Sequence, residues 1–573
     1  MKCGKVKPRK GRVALYPPHV KLADEAVCVG TAQAKDSYLR MDRIVDAIQK
    51  TGSQAVHPGY GFLSENAEFV QRLEDLNVSF IGPSASAITG MGDKLESKRL
   101  AMAAGVNTIP GNFHWVFLVL GDKHGNAIYL NERECSIQRR NQKVIEEAPS
   151  VFLDPATRKA MGEQAVALAK QIGYSSAGTV EFLVDSNKNF YFLEMNTRLQ
   201  VEHPITECIT GVDLVQQMIR VAKGHPLKIS QSDIPIRGWA IESRVYAEDP
   251  FKNFGLPSIG RLSKYQEPLH LDKVRCDSGI QEGSEISIYY DPMICKLVCY
   301  GDNREEAIER SIKALDAYVI RGVTHNIPLL RDILNEERFI TGDISTNYLP
   351  EVYPDGFKGK QLSAQERDEL IAMLASVSVK NSLRSANILN ESRGKINSRM
   401  PSCWNLVVKV AGMETPCSVT VLDGSFKVSI DGRKIMVNSN FDLASPLIEA
   451  QIDGNEETVQ LIKLGSAGEI RIRYKGTAFQ TLVLPAKANH FLSLMPEKPK
   501  VDMSKQVLSP MPGLVKSVAC VPGDMVSEGQ ELCVIEAMKM QNSLAAAATG
   551  KVKAVHVKVG DTVEEEQVLV ELE

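Results

Sequence analysis

The sequence of 573 residues predicts a multidomain protein that combines α/β and all-β domains. Three observations support this prediction. The first half alternates helical and strand-like segments, residues 404–485 form a run of strands with Asp-Gly turns, and residues 506–573 contain two similar halves of Val-rich strands. At about 150 residues per domain the chain holds about four domains, and its 43% hydrophobic content is enough to bury their cores.

Composition excludes several classes of protein. The net charge of −3 argues against a nucleic-acid binder, and no apolar run approaches the roughly 20 residues that cross a bilayer. The 11 cysteines are scattered and lack the spacing of a zinc or redox motif, which favours a reducing compartment.

The first 350 residues predict α/β structure. Residues 30–110 form an α/β layer, with a helix at 41–50 and short strands at 54–57 and 78–81. The next segments predict an antiparallel sheet of strands 116–120, 127–130, 178–184 and 189–195, with a helix at 156–172. Residues 241–349 are mixed α/β.

The following region predicts one helix and a β domain. A capping box from Ser363 to Glu366 begins a helix that we expect to end near residue 375. Residues 380–400 are polar and predict a linker or loop. Asp-Gly turns at 423–424, 431–432 and 453–454 predict an antiparallel barrel or sandwich.

The last 68 residues contain an internal repeat. An offset of 37 superposes Gly513 on Gly550 and the Gly-Asp pair at 523–524 on that at 560–561. Neither half can bury a core alone, so the sequence predicts a small flattened barrel with pseudo-twofold symmetry. Lys539, within Ala-Met-Lys-Met, lies on the connection between the halves, where its amine is accessible to a modifying enzyme. The alternative is an ordinary surface lysine.

Glu181 and Glu194 lie in runs that the sequence predicts to be adjacent strands of one hairpin. If the hairpin turns between Asn187 and Lys188, the two glutamates face each other. Opposed carboxylates repel unless a cation compensates, and hard oxygen ligands suit Mg²⁺ or Mn²⁺. With Asn196 on the same face, a metal site follows. The alternative is that one glutamate pairs with an arginine or is exposed after a register slip.

The C-terminal region resembles the biotinyl domain of biotin-dependent carboxylases. It has the family's Ala-Met-Lys-Met motif unaltered at 537–540, and Ser-Pro-Met-Pro-Gly upstream at 509–513. The lipoyl domain shares the fold, but its lysine is typically preceded by Asp. The resemblance therefore implies biotin on Lys539, attached by a biotin protein ligase.

The run Glu-Met-Asn-Thr-Arg-Leu-Gln-Val-Glu-His-Pro at 194–204 resembles the ATP-grasp core of biotin carboxylase in the same family. The resemblance implies that Glu181 and Glu194 bind the metal ion. It also implies that Arg198 stabilises anionic intermediates and that Glu202 is the general base that deprotonates bicarbonate.

Three further motifs extend this resemblance. They imply that Lys143, in Arg-Arg-Asn-Gln-Lys, holds bicarbonate and that Lys94, in Gly-Asp-Lys, contacts the ATP phosphates. Arg275, in Val-Arg-Cys-Asp-Ser, is implied to neutralise the biotin enolate. Within the family, residues 244–250, 289–292 and 404–485 most resemble the α subunits of propionyl-CoA carboxylases.

The resemblance implies a division of the chain into domains. These are a truncated N-terminal α/β domain (1–110), an ATP-grasp core (111–235), a biotin carboxylase C-terminal domain (236–357), a partner-binding helix and barrel (358–495), a linker (496–505) and the biotinyl domain (506–573). The implied protein is a hetero-oligomeric subunit that carboxylates biotin on Lys539 with ATP and bicarbonate. A carboxyltransferase β subunit then receives the carboxyl group.

The chain departs from the family at its ATP site. The family has a glycine-rich lid over the triphosphate, but only eight residues lie between Gly111 and Leu120, and no two glycines are adjacent. Lid amides supply much of the electrostatic catalysis in phosphoryl transfer, so we expect little carboxylation activity. The alternative function is a non-catalytic biotin carrier and assembly module.

The family also implies a mitochondrial matrix location. The chain begins with a basic segment, as a mitochondrial presequence does, but this segment is not Ser-rich or amphipathic.

Overall fold

The computed structural model describes residues 18–107, 113–139, 142–252, 256–287, 289–393, 401–438, 441–495, 505–527, 529–537, 540–547 and 550–573. Two parallel strands, Ala55–Val56 and Ser79–Phe80, and a set of helices form the N-terminal α/β layer. The predicted helix at 41–50 is confirmed. The helices are Pro18–Leu22, Met41–Thr51, Ala67–Asp75, Ala85–Gly92 and Lys94–Ala103, with a 3-10 turn at Ala34–Asp36.

The centre of the molecule is an antiparallel sheet of eight strands, which contains the four predicted strands and four more. In spatial order these are Val274–Ser278, Met293–Gly301, Trp239–Tyr246, Gln142–Ala148, Ala127–Arg139, Phe113–Gly121, Ser176–Val184 and Phe190–Asn196. Strands from both sides of residue 235 belong to this sheet, so the two carboxylase domains expected from the sequence share one layer. The shorter strands outside it are Glu248–Asp249, Leu256–Pro257, Gly260–Arg261, Lys264–Gln266, Glu285–Ile286 and Val319–Arg321.

Helices cover this sheet and bury its apolar residues. Pro155–Gln171, predicted at 156–172, packs on two of the strands, and Asp154 caps it by accepting hydrogen bonds from the Ala156 and Thr157 amides. The other helices are His203–Thr210, Leu214–Ala222, Arg304–Ala317, Ile327–Leu334, Glu337–Thr341 and Tyr348–Val352, with a 3-10 turn at Gln231–Asp233.

A closed antiparallel barrel of eight strands follows, as the Asp-Gly turns predict. Its strands are Cys403–Val410, Met413–Leu422, Ser425–Ile430, Arg433–Asn438, Leu447–Ile452, Asn455–Leu464, Glu469–Tyr474 and Thr477–Pro485. Asp431 and Asp453 adopt φ of 47° and 49°, and the glycine after each is also left-handed, which matches the tight turn of a twisted hairpin. The short helix Ala486–Leu492 ends the region.

The predicted linker at 380–400 is wrong for most of its length. One helix, Ala364–Arg393, contacts five strands of the barrel, and residues 394–400 lie outside the described part. Its middle turns are buried in the barrel core, where Leu370, Leu374 and Val377 are fully covered. Packing therefore extends the helix through polar residues, and the sequence contains no proline or glycine that would interrupt it before Gly394.

The C-terminal domain consists of two sheets of four strands related by the predicted repeat. One sheet contains Gln506–Leu508, Val568–Leu572, Gly550–Val555 and Met525–Val526. The other contains Met540–Ala545, Glu531–Ala537, Gly513–Val518 and Thr562–Val563. The offset of 37 carries Gly513–Val518 onto Gly550–Val555, and each sheet takes strands from both halves. The 496–505 linker falls outside the described residues except for Lys505.

Candidate active site

A cleft of about 480 Å³ opens along the central sheet. Six of the residues predicted for the site line it: Lys143, Glu181, Glu194, Asn196, Arg198 and Glu202. They come from the strands Gln142–Ala148, Ser176–Val184 and Phe190–Asn196 and from the segment that follows the last of these. The fold therefore brings together residues that lie in separate parts of the chain.

The predicted hairpin register is confirmed at the two glutamates. Glu181 and Glu194 are opposed partners, and so are Thr179 and Asn196. A bulge after Glu181 shifts the register by one residue on the side of the turn, so Phe182 faces Phe192. The turn is centred on Asn187 rather than between Asn187 and Lys188, and the bulge compensates for this difference, so the two glutamates keep their predicted opposition.

Glu202 is a buried carboxylate held between cations. One of its oxygens lies 2.5 Å from Lys143 Nζ, the other lies 3.0 Å from Arg244 Nη2, and Arg133 lies 3.9 Å away. Burial alone raises the pKa of Glu202, but the charges of Lys143, Arg244 and Arg133 outweigh burial and hold that pKa well below its usual value. Glu202 is therefore ionised and able to accept a proton.

Lys143 joins Glu202 to the opposed glutamates. Its Nζ lies 3.8 Å from Glu181 Oε1, and the side chain is largely buried. Burial favours the neutral amine, yet the neighbouring Cys135, Glu202 and Glu181 raise the pKa of Lys143. The lysine therefore keeps its positive charge in the cleft.

The residues present fit a divalent cation. Glu181 and Glu194 face each other at the cleft, and paired carboxylates in a polar cleft suit a hard ion such as Mg²⁺. Glu181 Oε1 accepts hydrogen bonds from Asn196 Nδ2 at 2.8 Å and Gln200 Nε2 at 2.7 Å, which fix its orientation. Asn196 thus orients Glu181 in this structure, and its role as a ligand stays a prediction. Among the described residues no group of three or more His, Cys, Asp or Glu could hold a metal ion.

Arg244 was not assigned a role from the sequence. It binds Glu202 and also lies 2.6 Å from Glu146 Oε1, so one guanidinium serves two buried carboxylates. A sequence signal exists: Glu242 and Arg244 lie two residues apart, on one face of a strand that also contains the apolar Ala240, Ile241 and Val245. Buried charges at alternate strand positions indicate a site or an ion network.

Arg275 lies in a different cleft, of about 370 Å³, which His203 and Glu207 also line. Its guanidinium binds both oxygens of Asp277 at 2.8 and 2.9 Å and Glu207 at 2.8 Å. Lys296 binds Asp277 and the carbonyl of Val201, so the two clefts adjoin the segment that carries Glu202. The structure thus does not bring Arg275 into the cleft with the other six residues.

Two predicted residues cannot be placed. The side chain of Lys94 and the whole of Lys539 lie outside what the structure describes. Lys94 begins the helix Lys94–Ala103, which Asp93 caps. The strands on either side of Lys539 pair so that Ala537 is opposite Met540.

Comparison with protein families assigns each part of the chain. The matches are "Biotin carboxylase, N-terminal domain" over residues 14–88, "Carbamoyl-phosphate synthase L chain, ATP binding domain" over 109–230, "Biotin carboxylase C-terminal domain" over 242–351, "Propionyl-coenzyme A carboxylase BT domain" over 370–498 and "Biotin-requiring enzyme" over 505–572.

Two curated relatives match almost the entire chain. The mitochondrial propionyl-CoA carboxylase alpha chain of Mus musculus is 54% identical over 97% of this chain and 87% of the relative. That of Homo sapiens is 53% identical over 97% of this chain and 86% of the relative. The chain belongs to the family of propionyl-CoA carboxylase α chains.

One solved structure is similar to the carboxylase part of this chain. The biotin carboxylase domain of the Hydrogenobacter thermophilus 2-oxoglutarate carboxylase, in complex with MgADP, ADP and bicarbonate, is 40% identical with a TM-score of 0.56, and covers 59% of this chain and 89% of that one.

Membership confirms the family resemblance, the fold class and the cofactors predicted from the sequence. The protein is a subunit of a biotin-dependent carboxylase, which is a ligase, and it uses biotin, ATP and Mg²⁺. None of the helices in the described ranges is long and apolar enough to cross a membrane.

Proposed function

We propose that this chain is the α subunit of a propionyl-CoA carboxylase of the mitochondrial matrix. It carboxylates biotin on Lys539 with ATP and bicarbonate, and a carboxyltransferase β subunit passes the carboxyl group to propionyl-CoA. The observation that carries the proposal is the placement of Glu202 between Lys143 and Arg244, beside the opposed Glu181 and Glu194. The similarity to the mitochondrial propionyl-CoA carboxylase alpha chains of mouse and human supports propionyl-CoA as the substrate and the mitochondrion as the location.

The charges of the cleft suit bicarbonate activation. An anion bound to Lys143 competes with Glu202 for the ammonium charge, which weakens the hold on Glu202 and makes that carboxylate more basic. Glu202 can then take the bicarbonate proton, and Arg198 at the same cleft stabilises negative charge that develops. Glu181 and Glu194 would hold Mg²⁺, which neutralises the ATP phosphates and supplies electrophilic assistance.

Lys539 serves as the point of attachment of biotin, and the barrel at 403–485 serves as the partner-binding region. The family matches at 505–572 and 370–498 support these two assignments.

The chain lacks residues that its relatives possess. The alignment with the mouse relative extends over 627 positions, whereas this chain has 573 residues. The helix ending at Ala103 and the strand beginning at Phe113 are separated by a short connection, where the family has its lid. We therefore expect slow carboxylation, because no lid supplies backbone amides over the triphosphate. The match to an ATP-binding domain over 109–230 does not support the alternative of a non-catalytic carrier.

The test is ATP hydrolysis by the purified, biotinylated chain with and without bicarbonate. We expect turnover that requires bicarbonate and biotin and that falls at least about 100-fold in Glu202→Gln. Glu449→Gln, in the barrel strand Leu447–Ile452, is the matched control and should leave turnover unchanged. The proposal is contradicted if the rate of ATP hydrolysis does not depend on bicarbonate. It is also contradicted if Glu202→Gln hydrolyses ATP as fast as the parent chain.

A further inference from the structure

Glu65 connects the N-terminal layer to the anion-binding segment of the cleft. Its Oε2 accepts a hydrogen bond from Arg198 Nε at 2.9 Å, and its Oε1 accepts one from the Thr197 amide at 3.0 Å. One carboxylate thus holds both the backbone and the side chain at two consecutive positions of a segment more than 130 residues away in the sequence.

The loop that carries Glu65 is itself fixed. The Gly61 amide donates to Ser64 Oγ at 3.0 Å, and Ser64 is buried. On the other side Asn66 caps the helix Ala67–Asp75 through the Phe69 amide. Glu65 therefore projects from a short segment that is anchored at both ends.

Aromatic contacts hold the same loop against the rest of the carboxylase region. The ring of Phe62 stacks on Tyr38 at 5.0 Å and meets the edge of Tyr290 at 6.3 Å. Phe62 also adopts a φ of 50°, an unusual conformation for a bulky residue. These contacts fix the loop relative to Tyr290, whose neighbour Asp291 lines the cleft.

A chain of hydrogen bonds continues from Arg198 to the metal-site carboxylates. Arg198 Nη2 donates to Asn196 Oδ1 at 3.3 Å, and Asn196 Nδ2 donates to Glu181 Oε1 at 2.8 Å. Glu65 therefore lies at the start of a connected path that ends on Glu181. An arginine side chain loses about 2 kcal/mol of rotamer entropy when it is fixed, so a partner that fixes it in advance lowers the cost of binding an anion.

We propose that Glu65 is the positioning residue for Arg198 in bicarbonate activation, and this inference rests on the proposed function. With Nε held by Glu65, the guanidinium presents its Nη edge toward Asn196 and the cleft. Glu65 makes no contribution to the chemistry itself; it orients the cation that stabilises the reacting anion.

The experiment compares Glu65→Gln, Glu65→Ala and Glu65→Asp with Glu68→Gln in the full-length biotinylated chain. Glu68 is the matched control because it is an acidic residue of the adjoining helix that pairs only with exposed Arg72 among its described salt bridges. Three quantities are measured: the bicarbonate concentration that half-saturates ATP hydrolysis, the KM for ATP, and amide hydrogen exchange at Thr197 without bicarbonate.

Glu65→Gln keeps an acceptor for the Thr197 amide but loses the charge, so exchange should stay slow while the half-saturating bicarbonate concentration rises about tenfold. Glu65→Asp should recover part of that loss. Glu65→Ala should also speed Thr197 exchange by at least about tenfold. The KM for ATP should change less than that for bicarbonate in every variant, which a general loss of structure would not produce.

The proposal is overturned if Glu65→Gln and Glu65→Ala match Glu68→Gln in bicarbonate dependence. A parent chain with no bicarbonate-dependent hydrolysis overturns the proposed function instead. In that case amide hydrogen exchange at Thr197 is the remaining test of whether Glu65 holds the segment of Thr197 and Arg198. Unchanged exchange in Glu65→Ala overturns that contact.

Discussion

The active-site cleft and the biotinyl domain differ in how far apart their working residues lie in the sequence. The cleft takes Lys143, Glu181, Glu202 and Arg244 from separate segments, whereas the lysine proposed to carry biotin lies in the sequence between two repeated halves. Charge balance in a buried site requires partners from several strands, because a single strand cannot surround a carboxylate with cations. A carrier lysine only needs access to solvent and a stable support.

The largest expected effect concerns the biotinyl domain. Lys539→Arg should abolish biotin attachment, and with it all carboxyl transfer, because arginine has no nucleophilic amine at neutral pH. Streptavidin blotting of the purified chain measures this. Lys516→Arg, an exposed lysine of the same domain, should retain the full signal, and the fold of both variants should be unchanged. A biotin signal in Lys539→Arg would place the attachment elsewhere.

In the cleft, one arginine should matter for stability as well as for chemistry. Arg244→Met leaves Glu202 and Glu146 buried without that cation and should lower the free energy of unfolding by about 3–5 kcal/mol. Hydrogen exchange in the strand Trp239–Tyr246 reports the change. Arg433→Met removes an exposed pair with Asp368 and should cost at most about 1 kcal/mol. Equal losses of stability in the two variants would mean that Arg244 stabilises the fold no more than an exposed arginine does.

The proposed absence of the family's lid can be tested by restoring it. Inserting the lid of a relative between Gly111 and Phe113 should raise bicarbonate-dependent ATP turnover on the order of 100-fold, because it restores amide donors over the phosphates. The structure narrows the insertion point expected from the sequence, since Phe113–Gly121 is a strand paired on both sides. A Gly/Ser insert of equal length is the control. No gain from the lid would show that the cleft is impaired in another way.

The repeat predicts that equivalent residues in the two halves of the biotinyl domain contribute equally to the free energy of unfolding. Val515 and Val552 are equivalent under the offset of 37, and each is 1% exposed. Val515→Ala and Val552→Ala should each lower the free energy of unfolding by about 2 kcal/mol. Urea unfolding of the chain, followed in this domain, measures both. Val559→Ala, at an exposed position, should change the free energy of unfolding little. Unequal losses for Val515→Ala and Val552→Ala would contradict the prediction of equal contributions.

The sheet around the cleft contains a buried carboxyl group whose raised pKa makes stability depend on pH. Burial, with a contribution from Glu147, raises the pKa of Glu134 to about 8. A carboxyl with a raised folded pKa stabilises the fold fully below its unfolded pKa of about 4.5, and stability falls as pH rises from there to about 8. The slope for one proton is about 1.4 kcal/mol per pH unit. Glu134→Gln should remove that part of the slope in thermal unfolding between pH 5 and pH 8, and an unchanged slope would contradict it.

Several features could be predicted from the sequence because their causes are local. The Asp-Gly turns, the repeat with its offset, and the opposition of Glu181 and Glu194 depend on residues close to one another in the chain. Side-chain alternation in a hairpin fixes which residues share a face. The contiguous motifs around Glu202 and Lys539 likewise predicted the family that the comparisons confirm.

Other features were decided only by tertiary packing. The helix Ala364–Arg393 runs past its expected end because the barrel covers its middle turns, and one sheet crosses the expected boundary at residue 235. Arg244, Glu65 and the separate cleft of Arg275 likewise depend on partners far away in the sequence. Local propensity and periodicity describe each strand or helix, but the free energy of burying a charge depends on which other elements surround it. That arrangement exists only in the folded chain.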